Sequence, residues 1–233
     1  MATIFITGST DGLGRAAAES LLGGGHRVVL HARSPDRAAS IAELASRAAG
    51  IVTGDLRSAV ETRGIADQVN AIGRMDAIIH NAGVYAQRSR GSTPEGHAGV
   101  LAINTLAPYM LTALIERPRR LVYLSSGLHR GGEGSLADLD WTKRIWDPAK
   151  AYAESKLHTV ALAFALARRW PNVLSNARLG AHEDGRAQRA GRHRDRTTNP
   201  GMAGRKRRSR GEGERPVLAS PPAGAAGARS RRS

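Results

Sequence analysis

Two side chains four residues apart, Tyr152 and Lys156, are of the right types for proton transfer. They fall in an apolar run from Pro148 to Trp170 that reads as a helix, where residues four apart share one face. A phenol titrates at about pH 10, too high for proton exchange near neutrality, and a neighbouring ammonium lowers that value by favouring the phenolate. The pair is therefore a candidate general acid/base for a carbinol or carbonyl oxygen. Alone it could equally be an ordinary Tyr on an amphipathic helix beside a solvated Lys. A second pattern, at the start of the chain, raises the chemical reading.

That pattern is Thr7-Gly8-x-x-x-Gly12-x-Gly14, between a β-branched run at 3–7 and a helical run from Arg15. Glycines at a strand-to-helix turn let the backbone approach a pyrophosphate, and the helix N-terminus supplies free N–H groups for it. Gly8, Ser9, Thr10, Gly12, Leu13 and Gly14 are accordingly candidate cofactor-binding residues. A tight turn without a ligand is the plainer reading of such a glycine run taken alone.

The elements that must position these residues alternate. Strands are expected at 26–31, 50–54, 75–80 and 119–126, with a sixth beginning at 171. Helices are expected at 35–48, after Asp55-Leu56 to about 72, at about 94–115 and at 148–170; residues 127–147 form a polar connection. Such alternation predicts an α/β chain, a doubly wound (Rossmann) parallel sheet with helices on both faces and ligands at the carboxyl ends of its strands. Each strand end carries something unusual: the glycine loop, then Arg33, Asp55-Leu56, Asn81-Ala82-Gly83 and Ser125-Ser126. Five in register are hard to read as chance.

Composition bounds the rest. The chain has 233 residues, enough for one large domain, and no cysteine, so neither a disulfide framework nor a thiolate metal site is available. The histidines show no ligand spacing, and no metal is assigned. No run approaches membrane-span length and no charged leader precedes the first strand, so a cytoplasmic protein is expected. Residues 177–233 hold 15 of the 35 Lys and Arg but only 5 of the 20 Asp and Glu, so the basic charge is concentrated in the tail.

Together Thr7-Gly8-x-x-x-Gly12-x-Gly14, Asp55-Leu56, Asn81-Ala82-Gly83, Asn104, Ser126 and Tyr152-x-x-x-Lys156 resemble the short-chain dehydrogenase/reductase family over residues 2 to about 176. The long helix and Leu124-Ser-Ser-Gly-Leu-His resemble retinol-dehydrogenase-type and related members. The resemblance implies hydride transfer between a nicotinamide cofactor and a small alcohol, ketone or aldehyde. It implies Tyr152 as acid/base, Lys156 as its activator and ribose contact, and Ser126 (rather than Ser125) orienting the substrate oxygen. Asn104 would be a helix-bending relay through water to the Lys, Asp55 and Leu56 would meet the adenine, and Asn81, Ala82 and Gly83 would flank the cofactor. Where an NAD enzyme usually places an acid, strand two ends in Ala32-Arg33, which suits a 2′-phosphate and favours NADP over NAD. A surface Arg is the plainer alternative, with Arg27 and Arg37 close by. The family also implies a possible homo-oligomer.

The resemblance stops after Asn176. Residues 177–233 lack aromatics and read as a basic, disordered, non-family tail, so the domain would lack its last strand. With permitted codons, reading from Ala177 one base later gives Pro-Gly-Trp-Val-Pro-Thr-Lys-Met-Gly, which looks like the missing family turn. A frameshift near codon 177 is favoured over an evolved basic domain. The rivals are a catalytically impaired nucleotide-binding remnant and electrostatic nucleic-acid binding by Arg205-Lys-Arg-Arg-Ser-Arg. The tail lacks the interleaved aromatics that specific recognition would need.

Overall fold

The structure is a computed structural model that describes residues 1–85 and 87–180. Its strands are β1 (Thr3–Ile6), β2 (Arg27–Ala32), β3 (Gly50–Thr53), β4 (Ala77–His80), β5 (Arg120–Ser125) and β6 (Leu174–Leu179). All pair in parallel in the order β3-β2-β1-β4-β5-β6. The chain reverses its direction of sheet building between β1 and β4, and there the loops after the two strands splay apart to leave a crevice. This is the doubly wound Rossmann arrangement that the sequence predicts. Among the described residues β6 is the sheet's last strand on that side.

The apolar strands read as continuous runs because each buries both faces. Phe5, Val29, Val52, Ile78 and Leu121 point to one layer, against α4 (Ala59–Ile72), α6 (Ala107–Leu114) and α7 (Pro148–Arg169). Ile4, Ile6, Val28 and Leu30, one residue out of step, point to the other, where Ala18 of α1 (Gly12–Gly23) and Leu44 of α3 (Ala42–Arg47) cover them. A one-residue slip in register would exchange the two layers, so the side-chain sizes fix the pairing.

Three expected elements differ. The helix expected at 35–48 is two, α2 (Pro35–Ala39) and α3, because Ser40 Oγ donates to the Arg37 carbonyl at 2.8 Å and Ile41 leaves helical geometry. The helix expected from Pro94 begins at Gly99. Residues 93–97 close instead into a turn in which Thr93 N–H donates to the His97 carbonyl and Asp140 accepts from Ala98 N–H. Between α5 (Gly99–Leu101) and α6 the helix widens into a π turn, Ala102–Leu106, that contains Asn104. Finally, β6 pairs with β5 as far as Leu179, three residues beyond the end of the family pattern. The rest of the tail, with its expected disorder, frameshift and basic run, lies outside the described residues.

α7 starts cleanly because Asp147 accepts from Ala149 and Lys150 N–H while Pro148 needs no partner at the first turn. The polar connection before it is pinned to α7 by Glu154. This buried carboxylate accepts from both terminal nitrogens of Arg144, at 2.8 and 3.0 Å, and from Trp141 Nε1 at 3.1 Å. No helix among the described residues is long and apolar enough to cross a membrane.

Candidate active site

The splayed loops at the carboxyl ends of the strands enclose a cavity of about 960 Å³. Of the residues singled out in the sequence, Gly8, Thr10, Gly12, Leu13, Arg33, Asp55, Leu56, Asn81, Ala82, Gly83, Tyr152 and Lys156 line it. Ser9, Gly14, Asn104 and Ser126 stand behind this lining.

At the glycine loop, Gly8 has φ +63, where a side chain would be strained, and its Cβ would stand 3.0 Å from Ala82 Cα. Gly14 is needed for close approach: a Cβ there would lie 2.2 Å from the Gly8 carbonyl oxygen and 2.4 Å from Asn81 Nδ2. Asn81 ties the two loops together by donating from Nδ2 to the carbonyls of Thr7 and Gly8, each at 2.9 Å. Thr7 Oγ1 accepts from the N–H groups of Asn81 and Ala82. α1 then opens onto the cavity with no acidic residue in its first turn and no side chain capping it. An anion is favoured there by the helix dipole and the first-turn N–H groups. Ser9 is fully buried and accepts from His31 N–H, so its role is to brace the loop.

At the nucleotide end, Arg33 is exposed at the end of β2. Arg37 beside it donates to Thr10 Oγ1 and Asp11 Oδ2, joining α2 to the glycine loop. Asp55 accepts from Arg57 N–H at 2.9 Å, and its own N–H donates to Glu61. These groups fit a dinucleotide whose pyrophosphate lies at the loop and helix, with Arg33 and the Arg37–Asp11 pair at its adenosine end.

At the other end, Tyr152 and Lys156 are almost buried, at 8 % and 6 % exposure. Lys156 Nζ donates to the Leu124 carbonyl at 2.8 Å and lies 5.6 Å from the Tyr152 ring centroid. A Cβ on Gly83 would stand 3.4 Å from both Lys156 Nζ and Asn104 Oδ1, so ammonium and amide flank the same glycine. Asn104 Nδ2 donates to Ser155 Oγ and the Val84 carbonyl, and its Oδ1 accepts from Val84 N–H. It thus joins the π turn, the loop after β4 and α7. Ser125 lines the cavity but its Oγ donates to the Lys156 carbonyl at 3.1 Å. Ser126 is fully buried and accepts from Leu128 N–H at the start of the 3-10 turn Gly127–Gly131.

Among the cavity residues that the sequence reading did not single out, two stand against the candidate groups. Tyr85 stands edge-on to Tyr152 with ring centroids 4.7 Å apart, on a loop with no pattern to mark it. His31 lies on the cavity wall and was weighed only for metal-ligand spacing.

The family profile described as short chain dehydrogenase matches residues 2–119. An uncharacterized oxidoreductase of Emericella nidulans is 45% identical over 177 residues, 75% of this chain and 67% of its own length. The chain belongs to the short-chain dehydrogenase/reductase family. It therefore carries the fold of NAD(P)-dependent oxidoreductases that act on small molecules. Among solved structures, an uncharacterized protein from Mycobacterium paratuberculosis superposes with a TM-score of 0.71 at 29% identity, covering 82% of this chain and 72% of its own. A short-chain dehydrogenase from Sphingobium yanoikuyae, solved in complex with NADPH, shares the fold at a TM-score of 0.59 and 22% identity, over 77% of this chain and 70% of its own.

Proposed function

We propose that this short-chain dehydrogenase/reductase transfers hydride between NADP(H) and an alcohol or carbonyl carbon of a small molecule, with Tyr152 as the general acid/base. The observation that carries the reading is the sharing of one cavity by Tyr152, Lys156 and the glycine-rich loop. When bound, the nicotinamide cofactor supplies or accepts the hydride. Tyr152 gives a proton to the substrate oxygen in reduction and takes it back in oxidation. Lys156 places a positive charge beside the phenol and favours its ionised form. Ser126, buried just behind the lining, takes the role of orienting the substrate oxygen from the family resemblance; the Ser125 hydroxyl is committed to the α7 backbone. Asn104, across Gly83 from Lys156, holds the π turn beside it, where the family resemblance places the water that relays protons to the Lys.

NADP(H) is preferred because Arg33 follows Ala32 at the end of β2, where an acid would repel a 2′-phosphate; Arg37 beside it is paired with Asp11. The Sphingobium yanoikuyae enzyme carries NADPH on the same fold. The enzyme works in the cytoplasm; its family domain is residues 1–176, with β6 running on to Leu179 into the basic non-family segment. It self-associates through α6 and α7, where Tyr109 and Phe164 are exposed.

Thermal unfolding with NADPH, NADH or neither tests the cofactor, since a ligand of the native state raises the midpoint with its affinity. NADPH should raise it more than NADH, and Arg33→Ala should narrow the gap. Tyr152→Phe should keep the NADPH shift while turnover on carbonyl substrates falls about a thousandfold, as for loss of a general acid/base. A midpoint indifferent to both nucleotides, or full turnover by Tyr152→Phe, would overturn the reading.

A further inference from the structure

One histidine stands where three cofactor-facing segments meet. His31, next to the last residue of β2, is 3 % exposed, and its ring lines the cavity. Gly8 N–H donates to His31 Nδ1 at 2.9 Å, and Nε2 lies 2.9 Å from the Gly54 carbonyl oxygen. An amide N–H can only donate and a carbonyl can only accept, so the ring is neutral with its proton on Nε2. Burial pushes its pKa below the ordinary histidine value, against the smaller opposing effects of the Gly54 carbonyl and Asp55. The backbone of His31 adds two ties: its N–H donates to Ser9 Oγ at 2.8 Å, and its carbonyl accepts from Ser9 N–H at 3.2 Å. One residue thus holds Gly8 and Ser9 on one side and Gly54, neighbour of Asp55, on the other.

We propose that His31 is a positioning residue of the nucleotide site. Its rigid, Nε2-protonated ring is a strut that fixes the gap between the glycine-rich loop and the Asp55 turn, and so sets affinity for the adenosine end of the dinucleotide. Walls already held apart need no ordering when the ligand enters, and that saved ordering appears as affinity. The two ring bonds go to the glycine loop and to Gly54, so the strut acts on binding and not on the proton-transfer step. The inference rests on the cofactor reading above.

Asparagine and glutamine separate the two ring contacts. The Asn side-chain oxygen can stand where Nδ1 does and accept from Gly8, while the Gln amide nitrogen can stand where Nε2 does and donate to Gly54. Phenylalanine keeps the ring volume and neither bond. NADPH binding to the full chain is followed by the fluorescence of the nucleotide. His31→Phe should raise Kd about tenfold, the loss expected for two modest hydrogen bonds, and His31→Asn and His31→Gln should each recover part of it. Turnover at saturating NADPH should stay within about threefold of the parent in all three, since the acid/base machinery is untouched.

A second readout needs no variant to fold well and no nucleotide. Long-range nitrogen–proton NMR of the histidine-labelled chain should show His31 neutral and Nε2-protonated. A charged or Nδ1-protonated His31 at neutral pH would overturn the proposal, as would NADPH binding to His31→Phe within twofold of the parent. A fall in kcat with Kd unchanged would also overturn it. If the parent chain itself binds neither NADPH nor NADH, the cofactor reading falls and takes this proposal with it. Parent binding that ignores the substitutions overturns the strut alone.

Discussion

The nucleotide half of the cavity, on β1, β2 and β3, and the catalytic half, on β4, β5 and α7, are held by different means. In the first, backbone shape does most of the work: Gly8 and Gly12 at positive φ, Gly14 against the Gly8 carbonyl, and side-chain ties from Asn81, Thr7 and His31 that all end on main-chain groups. In the second, buried side chains are the fasteners: Asn104 across three segments, Ser125 on α7, Glu154 under Arg144 and Trp141. A wall of backbone lets a phosphate approach closely but tolerates no added Cβ where a second stretch of backbone already touches it, as at Gly14. A wall of side chains can place a phenol and an ammonium but leaves polar atoms stranded when one member is removed.

The sharpest break of this comparison is Gly14→Ala against Gly12→Ala. The first forces a carbon to 2.2 Å from a backbone oxygen, which cannot yield as a flexible side chain would. It should lower stability by about 3 kcal/mol, the upper range for overpacking, and abolish the NADPH shift. At Gly12 a Cβ meets nothing within 4 Å, so only the φ of +51 resists it. That should cost about 1 kcal/mol and leave binding largely intact. Chemical denaturation of the two variants gives both numbers, and equal losses would mean that packing is not what Gly14 supplies.

Next comes Asn104→Ala. It leaves Val84 N–H, the Val84 carbonyl and Ser155 Oγ each short of a partner at a nearly buried site. A loss of about 2 kcal/mol is expected for orphaning buried polar groups. Because the strain falls on α7 and the loop after β4, kcat should drop while the NADPH affinity set by the other half is kept. A loss confined to NADPH affinity would show that the two halves are not separately held.

The same division explains what the sequence reveals. A glycine loop is legible because its geometry is local, and Tyr152 and Lys156 because four residues on a helix make one face. His31 was not, since Gly8 and Gly54 each lie 23 positions away and no local pattern marks the meeting. Asn104 was marked by the family resemblance, but its bridge to Ser155 spans 51 positions and needs the fold to be visible. The break at Ser40 and the start at Gly99 depend on single hydrogen bonds that apolar spacing does not encode. β6 continues into Ala177, Arg178 and Leu179 because parallel pairing uses backbone groups and is indifferent to the change of pattern there.

The smallest expected effect compares two histidines, one in each half. Both nitrogens of His31 have partners; His80, fully enclosed at the end of β4, has one unpartnered. Thr112 Oγ1 donates to the Pro108 carbonyl, so it accepts from Tyr123 OH and from His80 Nε2. That leaves His80 Nδ1 without a partner among the described residues, while the ring stacks on Tyr123 at 4.7 Å. Burial lowers the His80 pKa to about 3. Below its ordinary value of 6.5 the unfolded chain therefore binds a proton that the folded chain refuses. Stability is full above pH 6.5 and falls on acidification towards the folded pKa of about 3. The slope approaches about 1.4 kcal/mol per pH unit. His31, also lowered by burial, adds to the parent's acid sensitivity, so only a difference isolates His80. His80→Phe keeps the stack on Tyr123 and removes the proton site. Urea unfolding at pH 7.5 and 5.5 should show a smaller acid loss in the variant by about 1.4 kcal/mol. An unchanged acid loss would mean that His80 takes up its proton in the folded state, and that the β4 end is more open to water than its packing implies.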